Sequence, residues 1–134
     1  MFSKRWKWEL RSGRHQRVFV RVIGKTGSVT ANAIIDTGSG ISIFNKETFK
    51  ELFKGDNASD TFEIHGIGVT RGVSRRVSLE IFSTNGELIR KITNVEADFI
   101  MDDRFQESVL GISNVLDQFK LVLDYPAGEM VVFG

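Results

Sequence analysis

Apolar residues fall at every second position along most of this chain, and that spacing commits it to β-structure. Val18, Val20 and Val22 alternate with Arg17, Phe19 and Arg21, as in a strand with one buried and one exposed face. Turn-forming residues separate the strand-like stretches. Residues 24–28 read as a turn and residues 29–36 as a second strand, and Asn85-Gly86 marks a further turn because Asn-Gly tolerates positive φ. Residues 61–65, a glycine-rich tip at 66–72 and a strand marked by Val77, Leu79 and Ile81 read as one long hairpin. Residues 88–100 and 108–110 are strand-like, and 119–124 and 129–133 form a closing hairpin around Tyr125-Pro126-Ala127-Gly128. Two short helices interrupt the pattern. One is N-capped by Asn45, with Phe49, Leu52 and Phe53 at helical spacing, and the other lies within residues 112–118.

Composition narrows the function classes. At 134 residues the chain has the length of one domain and buries a real core. Its 18 basic and 17 acidic residues leave a formal charge of +1, so no overall field selects nucleic acid as a partner. The one local excess is Lys4, Arg5, Lys7, Arg11, Arg14 and Arg17, and residues 1–16 accordingly read as a basic N-terminal arm or edge strand. The absence of cysteine excludes disulfides, thiolate catalysis and cysteine metal sites. His15 and His65 have no partners at metal-ligand spacing, so neither a metal nor a cofactor is expected. No apolar run is long enough to span a bilayer and no signal-peptide core opens the chain. An intracellular, cytoplasmic location is the expectation, unless the chain is excised from a longer precursor.

The chemistry-bearing motif is Asp36-Thr37-Gly38-Ser39, which follows the apolar pair Ile34-Ile35 at the end of a strand-like run. A carboxylate is thereby delivered on a sharp turn, with glycines at 38 and 40 that let the backbone bend and let other groups approach. Some seventy residues later comes Val109-Leu110-Gly111, just before the second short helix.

Ile34-Ile35-Asp36-Thr37-Gly38, followed at that distance by two apolar residues and a glycine, resembles the retropepsin-like aspartic proteases, the single-lobe relatives of pepsin. The likeness runs in order and spacing over residues 17–133, so that residues 17–134 would form the protease domain. It implies an all-β fold with one or two short helices, a closed acid-protease barrel with one lobe per chain. By the same resemblance Asp36 is the catalytic carboxylate, Thr37 locks two loops across a dimer axis, and Gly38 lets those loops meet. Ser39 and Gly111 support the catalytic turn, with the Ser39 hydroxyl expected to donate to the carboxylate. The glycine-tipped hairpin falls where the family carries its flap, which makes Gly66, Ile67, Gly68, Val69 and Thr70 candidates for covering a substrate. Residues 130–133 are candidates for a sheet shared between two copies.

Metal-free peptide hydrolysis needs a base for water and an acid for the carbonyl, and two carboxylates sharing one proton supply both. The sequence holds one Asp-Thr-Gly, so the second carboxylate would come from a second copy of the chain, giving a homodimer acting on a polypeptide substrate. Gly40-Ile41-Ser42 stands where retroviral enzymes usually continue with acidic residues, so cleavage preference does not carry over. The rival reading is a non-catalytic module of the same fold that binds peptides or dimerises. A structural Asp turn, its carboxylate capping backbone amides, is the blander reading of the motif alone.

Overall fold

Val18, Val20 and Val22 are buried to 3% exposure or less, while Phe19 on the alternate face is 54% exposed, so the period-two pattern does set the inside and outside of its strand. In the computed structural model the described residues are 5–9, 16–65 and 68–133. Along them run β1 (Arg5–Glu9), β2 (Arg17–Ile23), β3 (Ser28–Ile35), β4 (Ser42–Asn45), α1 (Lys46–Leu52), β5 (Phe62–Ile64), β6 (Thr70–Phe82), β7 (Leu88–Ile100), β8 (Val109–Leu110), a 3₁₀ turn (Leu116–Gln118), β9 (Lys120–Asp124) and β10 (Glu129–Phe133).

Six strands close on themselves in the order β2-β3-β8-β4-β7-β6, with β6 returning to β2 through Val20↔Ile81 and Val22↔Leu79. Closure hides strand edges that would otherwise invite pairing with other chains. The seventh strand of this sheet, β5, stands outside the ring and is hydrogen-bonded to β6 among the described strands. The interior is aromatic at one end, where Phe44, Phe49, Phe53 and Phe99 stack with ring centroids 5.5–5.8 Å apart. Asn45 caps α1 by accepting from the Thr48 amide at 2.9 Å, as its position before the helix predicts. Arg75 on β6 lies over the Phe49 ring and chelates both Asp56 and Asp60, pinning the loop after α1.

A second, three-stranded sheet has the order β1-β10-β9. β1 lies within the stretch read as an arm or edge strand. It is an edge strand tied to the barrel by Trp8, which is 1% exposed and donates from Nε1 to the Phe82 carbonyl at 2.9 Å. Residues 130–133, the candidates for a sheet shared between two copies, lie in β10, which is paired on both sides within its own chain; among the described residues the outer strands of this sheet are β1 and β9.

β4 has no counterpart in the sequence reading, because four residues give too short a pattern for period two to register. The second short helix contracts to the 3₁₀ turn Leu116–Gln118. No helix among the described residues is long and apolar enough to cross a membrane.

Candidate active site

The site is built where β3 ends. Ile35 is the last residue of the strand, its amide bonded to the Gln16 carbonyl at 2.8 Å, and the next amide, of Asp36, donates to the Leu110 carbonyl at 3.1 Å. The chain then turns sharply. Asp36 Oδ1 accepts from the Gly38 amide at 2.8 Å and the Asp36 carbonyl accepts from the Ser39 amide at 3.2 Å, which is the side-chain-assisted turn that Asp favours. Asp36, Thr37 and Gly38 are exposed, so the carboxylate is fixed by the backbone yet open to solvent. A Cβ at residue 38 would stand 3.1 Å from Asp36 Oδ1, tight enough to push the carboxylate.

A second segment braces this turn. β8 runs parallel to β3 through Ile34↔Val109 and Ile35↔Leu110, and antiparallel to β4 through Ile43↔Val109. It therefore sits between the strands on either side of the Asp36 turn. Beyond it, Ile112 donates to the Ser39 carbonyl at 2.9 Å and Ser113 to the Gly40 carbonyl at 3.0 Å. The buried Gly111 amide donates to Ser42 Oγ at 3.0 Å. Gly111 packs directly on residue 41: an added Cβ would overlap the Ile41 carbonyl oxygen and lie 2.5 Å from its carbon and 2.9 Å from its nitrogen. Two of the paired sequence features, the Asp36 turn and Val109-Leu110-Gly111, are thus brought together by tertiary structure.

Ser39 departs from expectation. Its hydroxyl donates at 2.6 Å to the Ile41 carbonyl, so its proton is committed to the loop backbone and not to the Asp36 carboxylate. Its side chain stiffens the loop that carries the acid.

One face of the sheet beside the turn was not legible in the sequence. Register joins Ile34, Val109, Ile43, Asp98 and Ser74 in a single row across β3, β8, β4, β7 and β6. Residues paired in register share a face, and this one is opposite the face where Phe44 meets Phe99. Ile34, Val109 and Ile43 are only half-buried and stand outside the main hydrophobic cluster. Asp98, by contrast, is 9% exposed, and burial pushes its carboxyl pKa up, with the Glu96 charge adding to the effect. The available signal was a carboxylate flanked directly by apolar residues, between Ala97 and Phe99-Ile100.

Of the flap candidates, Gly66 and Ile67 lie outside the described residues. Gly68 has φ +84° and is exposed, Val69 is 68% exposed, and Thr70 opens β6 opposite Ile64. Gly68, Val69 and Thr70 line one side of a cleft whose other lining residues are Ile100, Asp102, Arg104 and Phe105. Asp102 accepts from Arg104, which holds its carboxyl at a pKa of about 2, as suits an exposed loop pair. His65 lies 3.6 Å from Glu63 on the surface, and among the described residues no three ligating side chains gather to hold a metal.

No protein-family model matches the chain, and no curated protein matches it. Solved structures do. The chain is similar to a retropepsin-like aspartic protease from Rickettsia conorii at 14% identity and TM-score 0.63, covering 97% of this chain and 89% of that one. It is also similar to EIAV protease, solved with an inhibitor, at 19% identity and TM-score 0.52, covering 84% of this chain and 97% of that one. At such identities the likeness establishes the fold: a mostly-β, retropepsin-like barrel with one lobe per chain, closed by hydrogen bonds around the ring.

Proposed function

We propose that the chain is an aspartic endopeptidase whose active unit is a homodimer, with Asp36 of each copy forming the catalytic pair. The observation that carries this reading is the state of Asp36. Its carboxylate is exposed, while four backbone bonds from two separate chain segments immobilise the turn that presents it: Asp36 to Leu110, Ser39 to Asp36, Ile112 to Ser39 and Ser113 to Gly40. A carboxylate with a merely structural role would be expected to turn inward and spend its oxygens on capping. Here Oδ1 takes one amide and, among the described residues, Oδ2 has no protein donor.

The reaction follows from two such groups meeting. Carboxylates about 3 Å apart do not both ionise, so the pair holds one shared proton and titrates as a unit. The ionised member takes a proton from water as its oxygen attacks the scissile carbonyl carbon, and the protonated member gives its proton to the carbonyl oxygen. Collapse of the tetrahedral adduct returns a proton to the amide nitrogen and breaks the C–N bond. Neither an acyl-enzyme nor a cofactor is needed. On this reading a second copy approaches exposed Thr37 and Gly38, and the β5–β6 hairpin would close over an extended peptide, excluding water and strengthening the electrostatics inside.

The test compares wild type with Asp36→Asn on an unfolded protein substrate from pH 4 to 7, with pepstatin in parallel and over a range of protein concentrations. Wild-type cleavage is expected, blocked by the substitution, with a rate that rises as the square of concentration when the dimer is dilute. Cleavage surviving Asp36→Asn overturns the assignment. Peptide binding without any cleavage would leave the non-catalytic module. A rate strictly linear in concentration, from a chain that sediments as a monomer, refutes the two-copy site.

A further inference from the structure

We propose that Asp98 makes this chain select substrates with a lysine or arginine side chain near the cleaved bond. The inference rests on the endopeptidase reading and adds the substrate class to it. Its starting point is the row Ile34, Val109, Ile43, Asp98 and Ser74, which crosses the sheet on the face away from the aromatic core. Asp36 lies two residues beyond Ile34, so the row starts beside the catalytic turn and runs through a buried acid.

Asp98 is unusual in having no hydrogen-bond or ion-pair partner among the described residues, although it is 9% exposed. Its neighbours are engaged elsewhere. Ser74, opposite it on β6, donates to Glu96 at 3.0 Å. Arg75 is taken up by Asp56 and Asp60, and Arg76 donates to the Asn94 carbonyl. Buried charges are normally paired, and leaving one unpaired costs stability. Sites that break such a rule are commonly those where a ligand completes the set. The approach to Asp98 passes half-buried Ile34, Val109 and Ile43: Ile43, one strand away, would lie along the aliphatic stem of a lysine or arginine while its charged head met the carboxylate, and Val109 and Ile34 would lie under the peptide leading to the scissile bond. A cation there would favour the ionised form of Asp98, reversing the effect of burial.

Dimensions fix the position. Three inter-strand steps of about 4.8 Å put Asp98 roughly 14 Å across the sheet from Ile34. A lysine on its four-carbon stem reaches roughly 6 Å from its Cα, and an extended peptide advances about 3.3 Å per residue, which places the cationic residue about two or three positions from the scissile bond. In a two-fold dimer each copy supplies one Asp98, so the preference applies on both sides of the bond.

The experiment digests an unfolded protein mixture with wild type, Asp98→Asn, Asp98→Ser and Asp36→Asn, and maps cleavage sites by mass spectrometry. A lysine peptide drawn from those sites is then compared with its norleucine counterpart. Wild type is expected to favour the lysine peptide about 10- to 100-fold in kcat/KM, the range for a charged group left unpaired in a closed site. Both Asp98 variants should bring that ratio to within about threefold of one. Asp36-dependent cleavage with a wild-type ratio near one, or with the ratio kept in both Asp98 variants, overturns this inference and leaves the endopeptidase reading standing. Absence of any Asp36-dependent cleavage overturns both.

Discussion

Substituting alanine for Gly111 tests the brace behind the catalytic turn. The added methyl group would overlap the Ile41 carbonyl oxygen and approach its carbon to 2.5 Å and its nitrogen to 2.9 Å. These are backbone atoms, so relief requires the two segments to part and not a rotamer change. Overpacking alone costs about 1–3 kcal/mol. Parting the segments also strains the bonds from Gly111 to Ser42, Ile112 to Ser39 and Ser113 to Gly40, each worth about 1 kcal/mol. We expect a loss of roughly 3–5 kcal/mol in urea unfolding, a large share of the 5–15 kcal/mol typical of a domain. For a chain of this size that is a fall in Tm of about 10–20 °C. Gly40→Ala is the matched control: no atom lies within 4 Å of its Cβ position, and its φ is not in the left-handed region. Its effect should stay within about 0.5 kcal/mol. A Gly111→Ala protein as stable as the Gly40→Ala protein would refute the claim that the two loops are locked by contact at residue 111.

Two further outcomes concern charge. Arg75 donates to Asp56 at 2.8 and 3.0 Å and to Asp60 at 2.7 and 2.8 Å, and this hydrogen bonding holds the Asp56 carboxyl at a pKa of about 2 against an ordinary 3.8. A depressed folded-state pKa gives stability that is present above 3.8 and lost as pH falls toward 2. Arg75→Leu should therefore cost about 1–2 kcal/mol at pH 7, discounted for the solvent reaching the pair, and much less at pH 2; thermal melts at both pH values check it, and an equal gap refutes it. Asp98 has the opposite sign. Burial raises its folded-state pKa, so the fold loses stability as pH rises past the ordinary carboxylate range. Asp98→Asn is expected to raise Tm at pH 7, by about 1 kcal/mol in stability, and to leave it unchanged at pH 3; a lower Tm at pH 7 would show that the carboxylate has a stabilising partner.

Much of this architecture is legible in local sequence because its strands have one wet and one dry face. The alternation at residues 17–23, the Asn45 cap and the turn at 125–128 all act over a few residues, and each appears where it was expected. The Asp36 turn was readable for the same reason, since Asp-Thr-Gly-Ser sets its own local hydrogen bonds. β4 was not legible, with four residues, because so short a strand exists through its neighbours and not through its own pattern, whereas β8 appears within the strand read at 108–110. Ser39 shows a different limit: a hydroxyl two residues from a carbonyl and three from a carboxylate has two acceptors in reach, and loop geometry chose Ile41.

The amino-acid order alone determined that this is a β-rich chain with a lone Asp-Thr-Gly, because periodicity and turn chemistry are properties of neighbouring residues. Only the folded molecule decided that β10 would be enclosed by β1 and β9, that Gly111 would press on Ile41, and that Asp98 would lie in the row that begins at Ile34 with no side-chain partner among the described residues. These facts depend on strands brought together from distant parts of the chain. Register across the ring, unlike alternation along a strand, is fixed by the whole set of strands at once.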